Sequence, residues 1–112
     1  MRRHLLVTND FPPKVGGIQS YLWELWRRLP PDDVAVHTTP YAGVDAFDAD
    51  QAFTLSRSRE PVLLPTRSVA RRVGRLAAGH DAELVVWDPA LPVGYAASRL
   101  ARPYAVVLPG AE

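Results

Sequence analysis

The sequence predicts an α/β fold, a Rossmann-like and mostly parallel sheet with helices on its faces. Three observations predict it. Short apolar runs bounded by turn-forming residues recur at 4–8, 34–38, 84–87 and 104–108. Segments with helical spacing separate several of these runs. The first run leads into a glycine pair, Gly16-Gly17, that opens an amphipathic segment. Strands alternating with helices in this way pair in parallel, and such sheets take ligands beyond the C-terminal ends of their strands.

The elements follow in order. His4 to Thr8 is mostly apolar and reads as a strand buried on both faces. Residues 9–17 read as a loop, because Pro12 and Pro13 lack amide hydrogens. Ile18, Tyr21, Leu22, Leu25, Trp26 and Leu29 then form a helical apolar stripe, with Glu24 and Arg28 spaced to pair on the other side. Pro30-Pro31 stops that helix. Val34 to Thr38 reads as a second strand. Residues 39–52, with Pro40, Gly43 and three aspartates, read as loop, and 53–55 as a short strand. Thr66 or Ser68 caps a helix running to about Ala78, with Val69, Val73, Leu76 and Ala77 inward and Gly79 at its end. Leu84 to Trp87 is a third clear strand, closed by Asp88-Pro89. Residues 91–100 read as a short helix whose small residues permit close packing, and 104–108 as the last strand.

A length of 112 residues fits one domain, and 47% apolar residues can supply its core. Cysteine is absent, which excludes disulfides and thiolate chemistry and fits a reducing compartment. No run approaches the roughly 20 apolar residues of a membrane span. The basic and apolar start, Arg2 to Val7, is too short for a signal peptide, so cytoplasmic residence is the expectation. A net charge of +1 and the lack of an aromatic stacking row argue against nucleic acid. The charge is uneven, with eight arginines against five acidic residues in 57–112.

Gly16 and Gly17 lack a β-carbon, so a ligand oxygen can approach their backbone closely. The helix that follows offers about half a positive charge at its start, worth about 0.3–1 kcal/mol to an exposed anion. That helps to place a phosphate and does not hold a nucleotide alone. Lys14 can add a point charge, and Asn9 and Gln19 hydrogen bonds. The alternative is a simple flexible turn. Neither the Walker nor the dinucleotide spacing is present.

The fourteen positions Thr8-Asn9-Asp10-Phe11-Pro12-Pro13-Lys14-Val15-Gly16-Gly17-Ile18-Gln19-Ser20-Tyr21 resemble the amino-terminal signature of retaining glycosyltransferases of the GT-B fold. They are most similar to that of actinobacterial GDP-mannose-dependent phosphatidylinositol mannosyltransferases, of glycosyltransferase family 4. The resemblance implies that residues 1–112 are an incomplete amino-terminal Rossmann-like domain. A carboxy-terminal nucleotide-sugar-binding domain would then be absent from this chain. It implies transfer of mannose from GDP-mannose to a phosphatidylinositol-type lipid, with retention, no cofactor and no metal. It also implies an isolated chain with little activity. The donor phosphates then fall to Gly16 and Gly17, with Asn9, Asp10, Lys14, Gln19, Gly110 and Glu112 around the cleft. The family often carries His-Gly-x-Glu after a later strand. Gly110 and Glu112 match it, whereas Pro109 stands in place of the histidine and can neither hydrogen-bond through a ring nor exchange a proton. The rival is a non-catalytic α/β interaction module.

Other candidates carry plainer readings. His4, His37 and His80 have no ligand spacing, and Asp45, Asp48 and Asp50 lack a calcium-loop pattern, so no metal site is expected. Asp10 can reach the cleft or cap its own loop. Arg67, Arg71 and Arg75 repeat every four residues, with Arg72 beside them and Arg57 and Arg59 upstream. This basic face is either solvated or a contact for an anionic lipid surface, where each charge is worth about 1 kcal/mol. With the lipid acceptor implied by the resemblance, it points to a protein peripheral at the inner membrane face.

Overall fold

The computed structural model describes residues 3–9, 11, 23–88 and 103–106. Its strands are β1 (His4–Thr8), β2 (Val34–Thr38), β3 (Thr54–Arg57), β4 (Leu84–Asp88) and β5 (Tyr104–Val106). They form one sheet in the order β3-β2-β1-β4-β5, and every neighbouring pair is parallel. The Rossmann-like parallel sheet with flanking helices is therefore borne out. β1 is central and all five of its residues are buried, which is why it reads as a mostly apolar run without polar alternation.

Successive β1 side chains serve opposite faces. Leu5 and Val7 join Ala35, Val85 and Trp87 under the long helix α2 (Arg67–His80), which contributes Val69, Ala70, Val73 and Ala77. Leu6 joins Phe11, Val34, Val36 and Phe53 on the other face. Full burial of one such side chain is worth about 1.5–3 kcal/mol. α2 starts where the sequence places it, since the Thr66 hydroxyl accepts from the Val69 N–H at 3.1 Å. It passes through Gly79 and ends on Asp81, not on the glycine. Asp81 takes a left-handed φ of 57°, and its N–H reaches the carbonyls of Ala77 and Ala78.

Three expectations change. Residues 39–52 contain a helix, α1 (Val44–Ala49), which follows Gly43 at φ 80°. Six residues cannot hold a helix unaided. Phe47 anchors this one against Phe11 and Trp23, with ring centroids 6.2 and 6.1 Å apart, and Asp48 pairs with Arg57 at 2.8 Å. The short strand expected at 53–55 begins at Thr54 and extends to Arg57. Residues 23–26 are helical, yet Leu25 is exposed, and the partly buried line that packs on the core runs through Trp23, Trp26 and Leu29. Three-residue hydrogen bonds from Arg28 to Leu25 and from Leu29 to Trp26 tighten this turn and rotate the stripe. Indole hydrogen bonds to His4 Nε2 and Gln51 Oε1, both 2.9 Å, fix the two tryptophans. Glu24 does pair with Arg28, at 3.0 Å. The helix expected at 91–100 lies outside the described residues, as do positions 18–22 of the first helix and the last two positions of the final strand.

Candidate functional site

The parallel order brings the C-terminal ends of β1, β2 and β4 to one edge of the sheet. Thr8 and Asp88 close the two central strands there, and both are buried. The Thr8 hydroxyl donates to Asp88 Oδ2 at 2.8 Å. The Asn9 main-chain N–H donates to the Asp88 carbonyl at 3.3 Å. A buried carboxylate is costly unless hydrogen-bonded, so this pairing fixes the point where the chain leaves β1. Sequence reasoning treated Asp88 only as a strand terminator. Nothing local distinguishes a carboxylate that stops a strand from one that holds its neighbour.

Asn9 itself is engaged. Its Oδ1 accepts from the Leu63 N–H at 2.7 Å, and its Nδ2 donates to the Leu63 carbonyl at 3.1 Å. It therefore joins the exit of β1 to the segment between β3 and α2. In that segment Ser58 N–H donates to the Thr38 carbonyl at 2.8 Å, and the Ser58 hydroxyl donates to the Glu60 carbonyl at 2.7 Å. Leu63 is fully buried, whereas its neighbours Val62 and Leu64 stand about half exposed. This exposed apolar pair, flanked in sequence by Arg59 and Arg67, was not singled out from the sequence. The signal was an apolar pair separated by a core residue, in a segment with prolines at both ends.

Arg67, Arg71, Arg72 and Arg75 are all exposed on α2, while Val69 and Val73 point inward and Leu76 packs against the core. The arginines do not act alike. Arg72 bears electrostatically on His37, which is buried, falls on the Ala35 face of β2 by strand alternation, and has its Nδ1 3.2 Å from Ser56 Oγ. Burial, with the Arg72 charge second, lowers the His37 pKa from 6.5 to about 4, although Glu60 opposes the shift. The imidazole is therefore neutral near pH 7. Arg75 lines a groove of about 220 Å³ between α2 and the β2–β3 side of the sheet, with Leu5, Ala35, Thr54, Ser56 and His80. This groove lies toward the starts of the strands, away from the Asn9–Asp88 edge.

Among the described residues, no three His, Cys, Asp or Glu side chains gather to hold a metal ion. No described helix is long and apolar enough to cross a membrane. Gly16, Gly17, Asp10, Lys14, Gln19, Gly110, Glu112 and Pro109 lie outside the described residues. Of the expected cleft residues, Asn9 is the one whose position is defined.

The fold and this edge define a Rossmann-like α/β unit with its central strand leading directly into the glycine-containing segment. No family model matches the chain. Its sequence is similar to that of actinobacterial glycosyltransferases. It is 44% identical over 105 residues to a GDP-mannose-dependent alpha-(1-6)-phosphatidylinositol monomannoside mannosyltransferase of Mycobacterium tuberculosis, covering 88% of this chain and 27% of that protein. It is 38% identical over 96 residues to the protein of the same name from Mycolicibacterium smegmatis, covering 80% and 24%. A GDP-mannose-dependent monoacylated alpha-(1-6)-phosphatidylinositol monomannoside mannosyltransferase of Corynebacterium glutamicum is 32% identical over 94 residues, covering 82% and 25%. The resemblance carried by residues 8–21 is borne out by these relatives, and the chain spans about a quarter of the length of each.

Proposed function

We propose that the polypeptide carrying this chain transfers mannose from GDP-mannose to a phosphatidylinositol mannoside, with retention at the anomeric carbon. The observation that carries the reading is the 44% identity, over 88% of this chain, to a relative named for that reaction. The relatives are more than three times as long, so the activity is proposed for the whole polypeptide. In this reading Gly16 and Gly17 let donor phosphates approach the backbone, with Asp10, Lys14, Gln19, Gly110 and Glu112 around the cleft. Catalysis comes from orientation and from stabilising the charge of the leaving diphosphate. The arginine face of α2 and the exposed Val62 and Leu64 lie against the anionic membrane that holds the acceptor. The protein acts there from the cytoplasmic side as a peripheral enzyme.

The test supplies radiolabelled GDP-mannose and vesicles containing phosphatidylinositol monomannoside. Labelled lipid is the expected product, and Gly16→Val should reduce it at least about tenfold while the melting transition stays close to that of the wild type. Vesicle binding should require anionic lipid and weaken as salt rises. Absence of labelled lipid from the wild-type polypeptide rejects the reaction, and equal binding to neutral vesicles rejects the membrane contact.

A further inference from the structure

We infer that Asn9 is a positioning residue that holds the acceptor-side segment 58–66 in register with the root of the donor-side loop, an inference that rests on the function proposed above. Asn9 stands one residue beyond β1 and seven before Gly16. Its main chain is bound to the end of β4 through the Asp88 carbonyl. Its side chain closes both hydrogen bonds on one residue 54 positions away, accepting from Leu63 N–H and donating to Leu63 C=O. A carboxamide is a side-chain copy of a peptide group, with donor and acceptor on one fork, and it pairs with Leu63 as a neighbouring strand would. The consequence is directional. With the Leu63 main chain clamped and its side chain buried, Val62 and Leu64 are turned outward. Three residues later Thr66 caps α2, whose first residue is Arg67. One amide therefore sets the position of the proposed lipid-facing segment relative to the strand that delivers the donor loop.

A purely structural asparagine and a positioning one differ in how mannose is partitioned. In either fate the bond from mannose C1 to the phosphate oxygen breaks and GDP leaves with the bonding electron pair. The new C1–O bond forms with an acceptor hydroxyl or with water, and that hydroxyl or water releases its proton. Displacing the acceptor side while the donor side stays intact favours water. A misplacement near 1 Å can cost about a hundredfold in rate.

The experiment measures labelled mannolipid and free mannose together in the complete polypeptide with vesicle-borne phosphatidylinositol monomannoside. Asn9→Ala should lower transfer at least about tenfold, with hydrolysis and the KM for GDP-mannose changed less than about threefold. The Leu63 amide should also exchange faster in the same variant. Asp48→Asn weakens the Arg57 pair elsewhere in the fold and should leave the partition unchanged. If Asn9→Ala does not fold, Asn9→Asp takes its place. That variant keeps the acceptor for Leu63 N–H, sets a carboxylate oxygen against the Leu63 carbonyl, and should shift the partition in the same direction. Wild-type transfer with an unchanged partition in a folded Asn9 variant overturns the inference and spares the function. Absence of wild-type transfer overturns the function, and the inference with it.

Discussion

The two faces of the sheet are built on different plans. The face under α2 is aliphatic apart from Trp87 and is covered by one fourteen-residue helix whose buried positions repeat at helical spacing. The opposite face is aromatic and is assembled from pieces. Phe11, Trp23, Trp26, Phe47 and Phe53 reach it from four separate stretches of chain. Phe11 sits at its centre, edge-on to both Phe47 and Phe53. Regular periodicity secures the first face, and mutual contact of large rings secures the second. The aromatic face should therefore depend more on single residues.

The sharpest way to break this comparison is a pair of truncations in the complete polypeptide. Phe11→Ala removes a fully buried ring and should cost about 3–5 kcal/mol, whereas Val73→Ala on the α2 face should cost about 1–2 kcal/mol. Denaturant titration of both variants decides it, and an equal or larger cost for Val73→Ala would overturn the contrast.

A titration comes next in size and concerns the α2 face alone. His37 is buried there with its pKa lowered to about 4. The unfolded chain binds this proton more readily than the folded one. The contribution is thus complete above pH 6.5 and is lost as pH falls toward 4, on the order of 3 kcal/mol at most. Wild-type stability should fall between pH 6.5 and 4 more steeply than that of His37→Asn. Parallel slopes in chemical denaturation would show that the ring is not the titrating group.

The smallest expected effect lies at the end of α2. Asp81 holds a left-handed φ that glycine adopts without strain, so Asp81→Gly should raise stability by about 0.5–1 kcal/mol. A loss of stability in the thermal melt would mean that the Asp81 side chain does more than tolerate its backbone.

The same contrast explains how much of the molecule was legible in its sequence. β1, β2, β4 and α2 follow from apolar runs and helical spacing, and Thr66 follows from capping chemistry. α1 and the rotated Trp23–Trp26–Leu29 line do not. Each depends on rings that meet only after folding, and local propensity does not contain those meetings. In the candidate site, the Gly16-Gly17 pattern is written in consecutive residues. The partner of Asn9 lies 54 residues away and the partner of Thr8 lies 80 away. A reading along the chain therefore gives Asn9 as a polar residue at a strand exit without the clamp that defines its position.

At the opposite edge of the sheet, Arg3 touches three segments at once. Its Nε donates to the His80 carbonyl at 3.0 Å, one Nη donates to the Asp32 carbonyl at 2.7 Å, and its own carbonyl accepts from Glu83 N–H at 2.8 Å. These partners lie at the approaches to β2 and β4, so Arg3 works as an alignment pin for the central strand. A one-residue slip of β1 would carry the guanidinium about 3.3 Å out of place and would turn Leu5 and Leu6 to the wrong faces. The pin can close only after β2 and β4 have both arrived, so it reports the joining of the three central strands and is silent on the edge strands β3 and β5.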